Sequence, residues 1–168
     1  MSQLPQRVAY VGAATVFSYT PIMSDRDDCQ RLLDATLPFA EQMLHEYGEF
    51  LPFGAEMRLD GEVVSIAGYD GNEHPPAKEI IALLGDHFRI SASRGKVMAT
   101  ALAYDVRVAP PTSTDATDAV AIGLDHQSGY TVDVYFPYSI EQGIVTLHEP
   151  FANEGQGHIF QTIPSTEK

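Results

Sequence analysis

Residues 97–108 read VMATALAYDVRV, and a strand through them has two unlike sides. Alternation puts Met98, Thr100, Leu102, Tyr104, Val106 and Val108 on one side, and Val97, Ala99, Ala101, Ala103, Asp105 and Arg107 on the other. An alanine face lets a helix sit close against it. Residues 118–126, DAVAIGLDH, repeat the contrast, with Val120, Ile122 and Leu124 opposite Ala119, Ala121 and Gly123. Two such neighbours predict a sheet whose small-residue face takes the helices. The other face would carry Met98, Leu102, Tyr104, Ile122, Leu124 and Phe136, too apolar to leave wet, so a helix, a ligand or a second copy of the chain must cover it.

Working outward, Ser128-Gly129 turns the chain into a strand over 130–136, which Pro137 ends or marks as an edge, and 144–147 offers one more short strand. Between the two long strands, Pro110 to Asp115 is an exposed loop. Upstream, apolar residues from Leu32 to Tyr47 recur at three and four residue intervals behind Ser24 and Asp27, a capping-box start. Pro38 should bend or restart this helix, and Gly48 ends it. Strands at 50–59 and 62–69 flank Asp60-Gly61, the dipeptide of a type I′ hairpin turn, and a second helix runs from Pro76 to Gly95. The fold class is therefore α+β, a two-layer sandwich with a mainly antiparallel sheet of five to six strands and two helices, in the order α-β-β-α-β-β-β.

The chain divides into residues 1–22, a single domain over 23–150, and a partly ordered tail over 151–168. Residues 8–22, VAYVGAATVFSYTPI, are too short and too polar to span a membrane. They read as a leader, as sequence upstream of a true start at Met23, or as a loose arm.

With 23 acids and 10 bases among 168 residues, the net charge is −13 before histidine. That balance argues against nucleic acid and anionic membranes as partners, and it favours a basic protein partner. One cysteine, Cys29, excludes an internal disulfide and permits a reducing, cytoplasmic setting.

The element order resembles the Roadblock/LC7 and profilin-like arrangement, which implies a dimeric scaffold or small regulatory module and transfers no site residue. Locally, Gly48-Glu49-Phe50-Leu51-Pro52-Phe53-Gly54-Ala55, leading into the hairpin that ends at Tyr69, looks like the opening of small uncharacterised bacterial α+β domains. That likeness implies no chemistry.

Six histidines, His45, His74, His87, His126, His148 and His158, show no metal-ligand spacing. Asp125-His126 and His148-Glu149 could assemble a ligand set with Asp133 or Glu141 only through folding. There is no nucleophile elbow and no phosphate loop, and acids surround Cys29. No catalytic set, cofactor or metal is expected. The polar candidates lie within apolar strands: Tyr104, Asp105, Arg107, Asp133 and Tyr135 could orient a small ligand or partner on one sheet face, or be an exposed ion pair among strand tyrosines. The function expected is a non-catalytic acidic interaction or regulatory module, an adaptor or immunity-like protein that binds a partner or itself through a sheet face. The alternative is a small-molecule binder or enzyme with a pocket between helices and sheet.

Overall fold

The computed structural model describes residues 24–68, 71 and 74–160. The expectations for residues 1–22 and for the last eight residues of the tail lie outside them. Helix α1 (Asp25–Tyr47) begins where the Asp27 N–H donates to Ser24 Oγ and the Ser24 N–H donates back to the Asp27 carboxylate, each at 3.1 Å. It ends at Gly48, in the left-handed region with φ 72°, whose N–H bonds Leu44 O at 2.9 Å. Pro38 neither restarts nor ends the helix, which runs unbroken for 23 residues. Both Pro38 and Asp34, whose carbonyl loses its helical donor, are exposed, so water can satisfy that carbonyl.

Strands β1 (Phe53–Arg58) and β2 (Val63–Ala67) form the expected hairpin, but not with a type I′ turn. Gly61 alone takes positive φ, at 87°; its N–H bonds Arg58 O at 2.9 Å, and the Arg58 N–H bonds Glu62 O at 2.8 Å. This is a three-residue connection closed by a left-handed glycine. The turn with positive φ at both central residues lies instead at Gln142 and Gly143, between β5 (Thr131–Glu141) and β6 (Ile144–Leu147).

Helix α2 (Ala77–Ser93) separates the first hairpin from β3 (Val97–Val108) and β4 (Thr117–His126), and β7 (Phe151–Glu154) ends the order. The α+β class, the antiparallel pairing and the expected element order stand. The strands run β2-β1-β3-β4-β5-β6, with β7 also on β5, which makes seven rather than five or six. The domain accordingly continues past 150: β7 pairs with β5, and the chain after it is part of the packed structure. Two residues of β5 lie between Tyr135 and Tyr138, against three on the return strand between Leu147 and Phe151, so one residue bulges there. Pro137 sits opposite that bulge and accepts the His148 N–H at 2.8 Å, so β5 continues through its proline.

The two sheet faces depart furthest from the sequence-based expectation. Residues paired across strands point to the same side, and the register sets Ala101 beside Leu124, Ala103 beside Ile122, Leu102 beside Gly123 and Tyr104 beside Ala121. Small residues of β3 therefore neighbour large residues of β4, and neither face is uniformly small or uniformly apolar. The apolar face expected from Met98, Leu102, Tyr104, Ile122, Leu124 and Phe136 does not exist as a unit, because one residue of register separates the two arrangements. Each face takes one helix instead of both sharing the alanine side. Leu32, Ala40 and Leu44 of α1 pack on Ala99, Ala101, Ala103, Val120 and Ile122. On the opposite face, Ile80, Leu84 and Phe88 of α2 pack with Ile66, Leu102 and Ile159. Gly54 makes that second seat: a Cβ there would lie 2.5 Å from Ala101 O and 2.5 Å from Phe88 Cζ.

Candidate functional site

Helix α2 covers only the β1 and β3 half of its face, so rows of side chains on β3, β4 and β5 continue past it. One row crosses the sheet as Leu102, Gly123, Asp133 and Asn153; a second as Tyr104, Ala121, Tyr135 and Phe151; a third as Thr100, Asp125 and Thr131. After β7 the chain folds back as Gly155 to Ile159, held where Gly155 N–H bonds Thr131 O at 3.2 Å. Only glycine fits at 155, because a Cβ would collide with the Thr131 side chain. Between this segment, α2 and the sheet lies a cleft of about 480 Å³, within the range of small-molecule sites. Its helix wall carries Ile81, Phe88 and Arg89, its floor Leu102, Tyr104, Gly123, Asp125 and Asp133, and its outer wall Gln156, His158 and Ile159.

The polar groups converge from the sheet. Asp125 and Asp133 are diagonal partners on β4 and β5, about 7 Å apart between Cβ atoms in such a pairing. Gly123 makes room for the second: a Cβ there would sit 3.2 Å from Asp133 Oδ1. Both carboxyls are half-buried, and desolvation raises both above the ordinary value. At Asp133 the charge of Asp125 pushes in the same direction, while the His158 imidazole acts against both shifts. Tyr104 and Tyr135 are also raised, chiefly by desolvation; Tyr135 and then Asp133 add to the shift at Tyr104, and Asp133 to that at Tyr135. Arg89 is committed to Asp86 on its own helix, and His158 Nε2 lies 2.7 Å from Gln156 Oε1.

A carboxyl raised in the folded state costs stability wherever it is ionised. For Asp133 the cost is present at neutral pH, shrinks as pH falls through the folded value, and vanishes below the ordinary 3.8. Asp133→Asn is therefore expected to raise the melting temperature at pH 7 and to lose that advantage near pH 3. Thermal unfolding of both chains across this range checks it, and a less stable variant at pH 7 would contradict it.

The five residues singled out from sequence divide between the faces. Tyr104 and Asp133 line the cleft, and Tyr135 lies beside it, stacked on Phe151 with ring centroids 4.9 Å apart. Asp105 and Arg107 are on the α1 side. Asp105 accepts the Tyr138 hydroxyl at 2.9 Å and 3.0 Å, and Arg107 makes an exposed pair with Asp118 at 3.1 Å. They join no site with Asp133, because β3 residues of odd number share a face with β5 residues of even number. Sequence reasoning missed Arg89, Gly123 and His158 and treated Asp125 only as a metal candidate.

It also missed a buried pair. Asp28, in the first turn of α1, lies 2.9 Å from His126 Nε2 at the end of β4, their side chains 4% and 8% exposed. The Ser128 N–H donates to Nδ1 at 3.0 Å, so Nδ1 is the acceptor and Nε2 carries the hydrogen toward Asp28. With both ring nitrogens engaged, His126 ties α1 to the β4–β5 turn. The adjacent Cys29 is buried, and desolvation, with Asp28 and Asp25 nearby, pushes its thiol up to about 12. That is the opposite of a nucleophile.

A second groove, of about 760 Å³, lies at the end of α2 around Arg58, Arg94 and Lys96. Two of its charges are paired, His87 with Glu56 at 3.3 Å and Arg58 with Glu62 at 3.7 Å. Among the described residues, no group of three or more His, Cys, Asp or Glu is placed to hold a metal ion, and no helix is long and apolar enough to cross a membrane. No family model, curated protein or solved structure matches this chain.

Proposed function

We propose that this chain is a small-molecule-binding protein whose site is the cleft between α2, the sheet and the segment after β7. The observation that carries this reading is the convergence of Asp125, Asp133 and Tyr104 on the floor of a concave, largely apolar cleft. Recognition suits these groups better than covalent chemistry, since carboxylates and a phenol in a half-buried cleft orient a ligand through hydrogen bonds. Amide chemical shifts of the full chain, recorded against a library of small fragments, provide the test. Binders are expected to move Leu102, Gly123 and Asp133 together. Gly123→Leu, which fills the floor, or Ala82→Trp, which plugs the cleft from the helix wall, is expected to weaken them by about tenfold or more. Shifts scattered over the surface, or unaffected by either plug, would reject the site.

A second reading is supported by the net charge of −13: a non-catalytic acidic module that associates with a basic protein or with a second copy. Charge of this size steers encounter with a basic partner and makes association fall as salt rises.

A further inference from the structure

We infer that the cleft takes an organic ammonium ion with an apolar body, its nitrogen seated between Asp125 and Asp133. This rests on the cleft being a ligand site and goes on to name the ligand's chemistry. The two carboxylates stand on adjacent strands of one face, where neither takes part in an ion pair among the described residues. Asp125 is hydrogen-bonded by Thr131, and His158 acts on both carboxylates through its charge while its Nε2 is turned to Gln156; Arg89 faces Asp86 on its own helix.

Around the carboxylates the surface changes character within one row. Leu102, Phe88, Ile81 and Ile159 form an apolar enclosure next to them. A ligand matching both parts is a cation at one end and a hydrocarbon or ring at the other, with the Tyr104 hydroxyl oxygen as a further acceptor. A bare divalent ion matches less well, since it needs six or more oxygens and the described residues assemble no group of three acidic or imidazole ligands. The desolvation that raises both carboxyls is what an incoming ammonium would offset. The acidic surface would also concentrate cations near the mouth.

The test compares three probes of one shape on the full chain at pH 7: phenethylamine, 2-phenylethanol and 3-phenylpropanoate. By calorimetry and amide shifts, phenethylamine is expected to bind about tenfold or more tightly than the alcohol, and the carboxylate more weakly than either. Asp133→Asn, and independently Asp125→Asn, should cut the preference for amine over alcohol to about twofold while the alcohol still moves Gly123. If the alcohol or the carboxylate binds as well as the amine, and Gly123→Leu or Ala82→Trp blocks it, the ligand class is overturned and the cleft stands. If no probe moves the cleft amides while other fragments do, the ligand class is again overturned. If nothing at all binds there, both readings fall. Displacement of phenethylamine by calcium chloride at matched ionic strength would overturn the organic cation in favour of a metal.

Discussion

His126→Ala is expected to cost the fold about 3–5 kcal/mol, because it leaves the Asp28 carboxylate buried beneath the β4–β5 turn without its donor. The imidazole also accepts the Ser128 N–H, so the substitution removes the acceptor that shapes the turn. Urea unfolding of the full chain measures the loss. A control separates the charge from the contact: Asp28→Leu with His126→Leu removes both partners, and such replacements are often close to neutral. A His126→Ala loss of less than about 1 kcal/mol would mean that water reaches Asp28 and that the pair is not a tie at all.

The second large effect is expected at the seat of α2. Phe88 is 1% exposed and fits over Gly54, so Phe88→Ala should cost about 3–5 kcal/mol through lost burial and the cavity left behind. Gly54→Ala attacks the same joint from below and should cost about 1–3 kcal/mol. Combining Gly54→Ala with Phe88→Leu should restore only part of that loss, because the new methyl still meets the carbonyl of Ala101, which is backbone and cannot turn aside. Full restoration would show that only the ring opposes the methyl. Since Phe88 also lines the cleft, its truncation should enlarge the site and weaken fragment binding along with stability. The pairing of these two readouts distinguishes loosening of the helix from simple surface damage.

How much of this was legible beforehand follows from how local each signal is. The capping box at Ser24 and Asp27, the glycine stop at 48 and the alternation within each strand depend on residues a few positions apart, and they read correctly. Alternation says which residues of one strand share a side; it does not say which side of the next strand they meet. That is decided by how the 109–116 connection sets β3 against β4, a difference of a single residue in register. The alanines of β3 therefore looked like one wall of a small-residue face, when they were the complement of Val120, Ile122 and Leu124. The same gap split the polar candidates, grouping Asp105 and Arg107 with Asp133 across a sheet that holds them apart. Asp28 was hidden among the exposed acids of a helix start, since its burial depends on a histidine 98 residues away. Asp125 and His158 reach the cleft through strand pairing and a glycine-led return of the chain, neither of which leaves a short-range pattern.

The bulge after β6 has a bearing on self-association. At one margin the sheet ends in β2, only five residues long. At the other, β6 and β7 have four residues each, and the extra residue and Pro150 between them break the row of free amides and carbonyls. Among the described residues, no free edge then offers more than about 17 Å of regular backbone to an incoming strand. A chain whose long central strands are rich in valine, alanine and tyrosine would otherwise be prone to stack edge to edge. Here most of their length is paired on both sides, and the stretches left open, such as residues 104–108 of β3, are as short as the margins.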